Sequence, residues 1–408
     1  MAEEAMKAWR RLVGEVLVEL QRCELTSAYQ VLGQVDEATR PELVLSRAHS
    51  LLALEATPPA FSLAQRLLVA EQLLYAGDPG APEPRTTQSK VTLLGEHRVL
   101  EHLARMGNLR GVRVLGVTLD WPLAGLDARD SVWSEGSFAG TSLQAADLRG
   151  ARLAQIDLSG CDLREAKLEG ATLLDVDLAG AVLTGLDARG ASLEVRRIDG
   201  ADLRAACFAQ SRFSKANLAE VRLAGASFTA CLLPEAKAAG VSFAECALRD
   251  CSLRGADLTG ADLTEVDAFQ LDLRDAVLRE AKLDGLRGEG LDGRGADLGG
   301  ASLRGADLSS ANLEGACLSG CVARGARFAR ARLGGADMTR SSFAEASFEH
   351  ADLSHARLEG SAFAGACLDG ADLHRTSTEG VDFAASSMQR VKLTDPARAR
   401  AEDFDRSA

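Results

Sequence analysis

Few residues of this chain are spaced to do chemistry. His355 and His374, with Asp352 and Asp372 close by, offer the imidazole and carboxylate donors of a transition-metal site. The same residue types also make an ordinary solvated surface, and the expectation is no metal and no cofactor. Gly288, Gly290 and Gly293 spell GxGxxG, a spacing that cradles a pyrophosphate only where a strand leads in and a helix leads out. His97 and His102 are five apart; on a helix they face different sides and do not make the HExxH pair. The sequence has no P-loop and no GxSxG elbow. Nine cysteines are scattered without a CxxC pair, and a thiol without an electropositive neighbour is inert. Catalysis has no constellation to act through, so the chain reads as a non-enzyme.

The elements that carry these residues fall into two regions. Trp9, Leu12, Val13, Val16, Leu17 and Leu20 share one helical face, and Val44, Leu45, Ala48, Leu51 and Leu52 share another. Pro41 suits the first turn of the latter, the third helix expected, where its missing N–H costs nothing. The spacing predicts an α-helical domain over residues 1–76, a Pro- and Gly-rich linker over 77–90 and a capping helix over 91–106. The opening MAEEAMKAWRR places acids before any apolar stretch, unlike a secretory signal. No apolar run approaches the ~18 residues of a membrane span. An odd cysteine count without an export signal points to a reducing cytoplasm.

After Gly107 the period becomes five. Leu123 to Leu393 spans 55 centres at five-residue steps, and only Ala128, Ala188, Ala238, Ala268, Gly288, Gly293, Ala323 and Thr378 lack a large apolar side chain. Two residues before each centre sits a small residue, usually Ala, and Gly often follows two residues after. A period of five fits neither a helix nor a flat strand. It fits a chain that turns a corner every five residues, with one small and one large side chain inward and three outward. Gly at the corner tolerates unusual backbone angles. At Ala128, Ala188, Gly288 and Gly293 the preceding small slot holds Leu126, Leu186, Leu286 and Leu291. Either large and small have exchanged places, keeping core volume, or the register slips locally. Val112 with Val114 and Val117 with Leu119 step by five, but Trp121 with Leu123 follows after four, so one residue is missing near Asp120.

The A(D/N)LxG pattern, as in Ala256-Asp257-Leu258 and Ala306-Asp307-Leu308, resembles the pentapeptide-repeat family over about residues 108–394. The resemblance implies a mainly β fold: a right-handed quadrilateral β-helix over residues 107–394, four repeats per coil, followed by a tail over 395–408. That is nearly 14 coils, roughly 65 Å at the spacing of paired strands. Residues twenty apart then stack. Phe208 lies on Phe228, Phe328 on Phe348, and Phe343, Phe363 and Phe383 form a column. Cys231 and Cys251 become two free thiols in contact. Cys161, Cys231, Cys246, Cys251 and Cys321 take the small inward slot, while Cys207, Cys317 and Cys367 point outward.

The chain carries a net charge of −13, ill suited to direct binding of nucleic acid or an anionic membrane. Residues 121–394 hold 40 acids and 30 bases. An acidic belt lies around Asp257, Asp262, Glu265, Asp267, Asp272, Asp275, Glu280 and Asp284. It reads either as a solvated face or as a patch that draws a basic partner. The function expected is therefore a non-enzymatic scaffold for an unidentified protein partner. The resemblance implies an alternative. Some members resemble duplex DNA in width and charge and bind DNA gyrase or a related topoisomerase, giving drug resistance. Here the bases dilute the negative field and a helical region is added. The tail has one aromatic and no apolar stripe, so the dimerising C-terminal helix of those proteins is expected to be absent.

Overall fold

The computed structural model describes residues 92–94, 109, 113–119, 122–213 and 216–406. The helical domain expected over 1–76, the linker over 77–90, and His97 and His102 lie outside the described residues. The chain divides into two compact units, one ending at Ala171 and the other starting at Thr172.

In the first unit, β1 (Thr92–Leu94), β2 (Arg113–Leu115), β3 (Val132–Ser137) and β4 (Arg152–Asp157) pair in parallel, each with the next. Strand β1 corrects the capping helix expected over 91–106, at its start. A short apolar run such as Val91–Leu94 suits either state by spacing alone, and here parallel pairing with β2 decides for the strand. The pairing distance is 21 residues from Thr92 to Arg113, 19 from Arg113 to Val132 and 20 from Val132 to Arg152. The 19-residue step is the missing residue that the sequence places near Asp120.

In the second unit, β5 (Thr172–Asp177), β6 (Ser192–Arg197) and β7 (Arg212–Phe213) pair in parallel. Bridges twenty residues apart then continue to Asp372 with Lys392. There are four bridged positions per twenty residues, so each coil has four walls. Each wall has an inward centre such as Leu258 and an inward small residue such as Ala256, both without solvent exposure. The twenty-residue bridges run unbroken past Gly288 and Gly293, and Leu286 and Leu291 are buried. Large and small have therefore exchanged places and the register does not slip. A Cβ on Gly288 would lie 3.1 Å from Leu308 Cδ2 and 3.2 Å from Leu286 Cδ2, so the leucines fill the space that the glycine vacates. The GxGxxG spacing is thus core packing. The phenylalanine columns are present, with Phe328 and Phe348 4.9 Å apart and 5° from parallel, and Phe363 and Phe383 5.6 Å apart.

A repeat accounts for all five of its backbone donors. Around Leu258, Asp257 N donates to Ala236 O at 2.9 Å, Leu258 N to Val277 O at 2.7 Å and Gly260 N to Arg279 O at 2.8 Å. Ala261 N closes the turn on Leu258 O at 3.0 Å. The fifth donor, Thr259 N, meets Asp257 Oδ1 at 3.1 Å. The same Asp-to-(i+2) bond recurs at Asp162, Asp262, Asp307, Asp337 and Asp372. The polar letter of the A(D/N)LxG pattern therefore satisfies a peptide N–H that no neighbouring coil reaches.

Among the described residues the corner is left-handed from Asp130 (φ 57°) to Arg390 (φ 56°), with one exception. Glycine takes that conformation freely, and short polar or straight side chains take it at some cost. Val195 is the exception. A β-branched residue resists this region, its corner is not left-handed, and the pairing of β5 with β6 shifts around it. Arg196 next to it, in the small inward slot, turns out to solvent and approaches Asp177 at 3.4 Å.

Candidate functional site

The eight belt acids are outward, but they do not form one patch. Asp262, Asp267, Asp272 and Asp257 bridge to Lys282, Arg287, Asp292 and Val277 respectively, on four different walls. Arginines neutralise half of the belt: Asp267 with Arg249 at 2.9 Å, Asp272 with Arg274 at 2.7 Å, Asp275 with Arg254 at 3.4 Å and Asp284 with Arg304 at 3.7 Å. Asp262 is held below the usual carboxylate range, first by its hydrogen bond from Thr264 and also by the charge of Lys282. Asp257, Glu265 and Glu280 have no ion pair among the described residues.

One local signal that sequence reasoning passed over explains the Asp272–Arg274 pair and six more outside the belt. In an Asp-x-Arg step the two outward side chains of one repeat lie side by side. Arg149 Nε and Nη2 donate to Asp147 Oδ1 and Oδ2 at 2.8 and 2.6 Å. The same two-pronged contact occurs at Asp127–Arg129, Asp162–Arg164, Asp187–Arg189, Asp202–Arg204, Asp272–Arg274 and Asp292–Arg294. Such forks are the stronger kind of ion pair. The arginine bond is the leading reason that Asp147, Asp162, Asp202 and Asp292 are held below the usual carboxylate range.

The densest cluster of functional groups sits elsewhere, where the chain leaves its last coil. Residues Pro396–Arg406 form a helix, α1, in the tail that the sequence reads as without an apolar stripe. Asp395 caps it, accepting Ala397 N at 2.8 Å. Glu402 Oε2 lies 3.2 Å from His355 Nε2, 3.3 Å from His374 Nε2 and 3.4 Å from Arg375 Nε. Its other oxygen takes Arg398 Nε at 3.0 Å. Arg375 Nη2 also reaches Asp403 at 2.7 Å and Ala399 O at 2.5 Å, and Arg398 Nη1 reaches Asp372 at 3.3 Å. His374 is not the exposed histidine that the sequence suggested, with only 1 % of its side chain accessible. Burial opposes the charge of Glu402, but the hydrogen bond from His374 and the surrounding cations prevail and hold it below its ordinary range.

His355, His374 and Glu402 bring their donor atoms within 4.8 Å of one another, the one such group among the described residues. The hydrogen bonding speaks against a metal. Asp395 N donates to His374 Nδ1 at 3.1 Å, so in the neutral ring the proton sits on Nε2 and is directed at Glu402. A metal-bound histidine has the opposite arrangement, with its far nitrogen donating.

The cysteines occupy the slots expected of them. Cys231 and Cys251 are free and buried; Cys231 donates to Phe208 O at 2.5 Å and Cys251 to Phe228 O, and the neighbouring Cys251 together with burial pushes the Cys231 thiol far above its usual range. Burial pushes Cys246 up to about 12; it donates to Leu223 O at 3.1 Å, away from that pair.

Coils of twenty residues in parallel register, four five-residue repeats to a coil, define a parallel β-solenoid. The chain belongs to the pentapeptide-repeat family. The family model for pentapeptide repeats matches it in successive segments, some overlapping, from residues 123–160 to 341–377. Comparison with curated proteins gave no match. Among solved structures the chain is similar to HetL, a pentapeptide repeat protein involved in heterocyst differentiation regulation from the cyanobacterium Nostoc sp. strain PCC 7120. The identity is 27 %, covering 69 % of this chain and 89 % of that one, with a TM-score of 0.17. It is also similar to Rfr23 from the cyanobacterium Cyanothece 51142, at 24 % identity over 31 % of this chain and 90 % of that one, TM-score 0.20. QnrB1, a plasmid-mediated fluoroquinolone resistance protein, shares 15 % identity over 48 % of this chain and 93 % of that one, TM-score 0.23. No helix among the described residues is long and apolar enough to cross a membrane.

Proposed function

We propose that this protein is a non-enzymatic scaffold that presents fixed outward side chains to a protein partner. The observation that carries the reading is the pattern of charge on the coils. Arginines pair with four of the eight belt acids, Asp267, Asp272, Asp275 and Asp284, while Asp257, Glu265 and Glu280 have no ion pair among the described residues. Isolated charges on a rigid frame steer and orient a basic partner without bulk attraction. The same cancellation weighs against mimicry of duplex DNA, which presents an unbroken negative field. The test is a cross-linking capture with the intact chain and with D257N/E265Q/E280Q, alongside a gyrase supercoiling assay with and without a quinolone. The scaffold reading expects capture of a defined partner that the triple variant loses at unchanged melting temperature, with no effect on gyrase. Undiminished capture by the triple variant would remove these acids from the interface. Inhibition or protection of gyrase by the intact chain would favour the topoisomerase reading instead.

A further inference from the structure

We infer that the coil wall next to the tail carries a carboxylate-binding pocket, built by His355, His374 and Arg375, and that helix α1 is its resident ligand, a latch that an acidic peptide can displace. The inference is independent of the acidic belt. It rests first on preorganisation. His355 and Arg375 are stacked corner residues with left-handed backbones, φ 60° and 52°, and His355 N bonds to His374 O across the coils at 2.8 Å. All three side chains therefore project from a frame that exists without α1. With α1 in place His374 is buried and its Nδ1 accepts from Asp395 N, which directs its Nε2 at Glu402. Three nitrogens from the wall converge on the single oxygen Glu402 Oε2, that of His374 in a hydrogen bond, and Arg375 extends the contact to Asp403. That is the recognition chemistry of two adjacent acidic residues.

The charge order of α1 points the same way. A helix gains from acids at its N-terminus and bases at its C-terminus. Helix α1 has no acid in its first turn and carries Glu402 and Asp403 towards its far end. Apart from the N-cap Asp395 the pattern opposes the helix dipole, and beyond the contact of Glu402 with Arg398 these acids meet the wall. With 11 residues α1 is also shorter than the ~12–15 that even good helix formers need to persist alone. Its sequence offers no apolar stripe to bury. Helix formation and docking are therefore one event, held by polar contacts that exchange readily with solvent or with a competing carboxylate.

The experiment uses the full chain, wild type and E402Q, with two readouts. Hydrogen exchange by mass spectrometry follows the amides of α1 and, separately, those of the coils. Fluorescence anisotropy follows a labelled peptide with the sequence of residues 395–408, in native form and with the E402Q change. Loss of a charge-assisted hydrogen-bond centre should speed exchange in α1 by roughly tenfold or more, with the coil amides unchanged. The native peptide should bind E402Q protein, whose pocket is vacated, and bind wild type far less. The altered peptide should bind at least roughly tenfold more weakly, and R375Q in the E402Q background should abolish binding while the coils keep their protection. Unchanged exchange in E402Q, or equal binding of both peptides, would overturn the pocket. Protection of α1 that appears only with added zinc and vanishes with chelator would also overturn it, because His374 Nε2 would then be a ligand and not a donor.

Discussion

Leu258 and Asp257 are neighbours in sequence and opposites in environment. Leu258 is fully inward, and a carboxylate there has neither water nor a partner, so Leu258→Asp should cost more than about 4 kcal/mol and abolish a cooperative melt. Asp257 is exposed and gives up its bonds from Thr259 N and Oγ1, so Asp257→Ala should cost about 0.5–1.5 kcal/mol. Similar melting temperatures for the two variants would contradict the five-residue register. Thiol labelling reads the same register through cysteine. Burial pushes Cys246 and Cys321 up to about 12, while Cys207 and Cys317 are partly exposed. At mildly alkaline pH, peptide mapping should find Cys207 and Cys317 modified in the native protein. Cys161, Cys231, Cys246, Cys251 and Cys321 should be modified only after denaturation. Early labelling of any small-slot cysteine would refute the assignment.

Among the elements, the corner is where composition matters most. Gly260 (φ 64°) has nothing within 4 Å of an added Cβ, so backbone conformation alone sets the cost of substituting it. Gly260→Val should lose about 2 kcal/mol and Gly260→Ala about half of that, measured by denaturant unfolding; equal stability would show that the corner is not left-handed in solution. Val195 shows what the chain does when such a residue is already there, since it abandons the corner and lets Arg196 out. The coils were legible in the sequence because every inward slot recurs: the missing residue near Asp120, the exchanged leucines at Gly288 and Gly293 and the phenylalanine columns all follow from counting by five. Helix α1 was not legible. Its partners His374 and Arg375 each lie 28 residues before Glu402 and Asp403 respectively, and a helix docked by polar contacts leaves no apolar spacing to read. The short strand Thr92–Leu94 was misread because three extended residues carry no period at all.

For the molecule as a whole, the depressed carboxylates set the response to acid. Asp147, Asp162, Asp202 and Asp292 are held below the usual range, so they contribute stability above the unfolded value of about 3.9 and lose it as pH falls through their lower folded values. The melting temperature should therefore be level near neutrality and fall below about pH 4, with a shallower fall in Asp202→Asn. A level curve down to pH 2.5 would exclude these forks as a source of stability. The sequence read the belt as a stretch of acids, and it could not show that arginines and peptide donors already occupy most of them, because that depends on which outward side chains share a wall. The twenty-residue coil has a last consequence, for inheritance. Excising one repeat from the second unit leaves every inward slot filled but turns all later outward residues a quarter-turn, onto the next wall; excising four returns them to their own. Small in-frame deletions in such a gene thus permute a surface without disturbing its interior, so lineages can rearrange what they display while keeping what they fold.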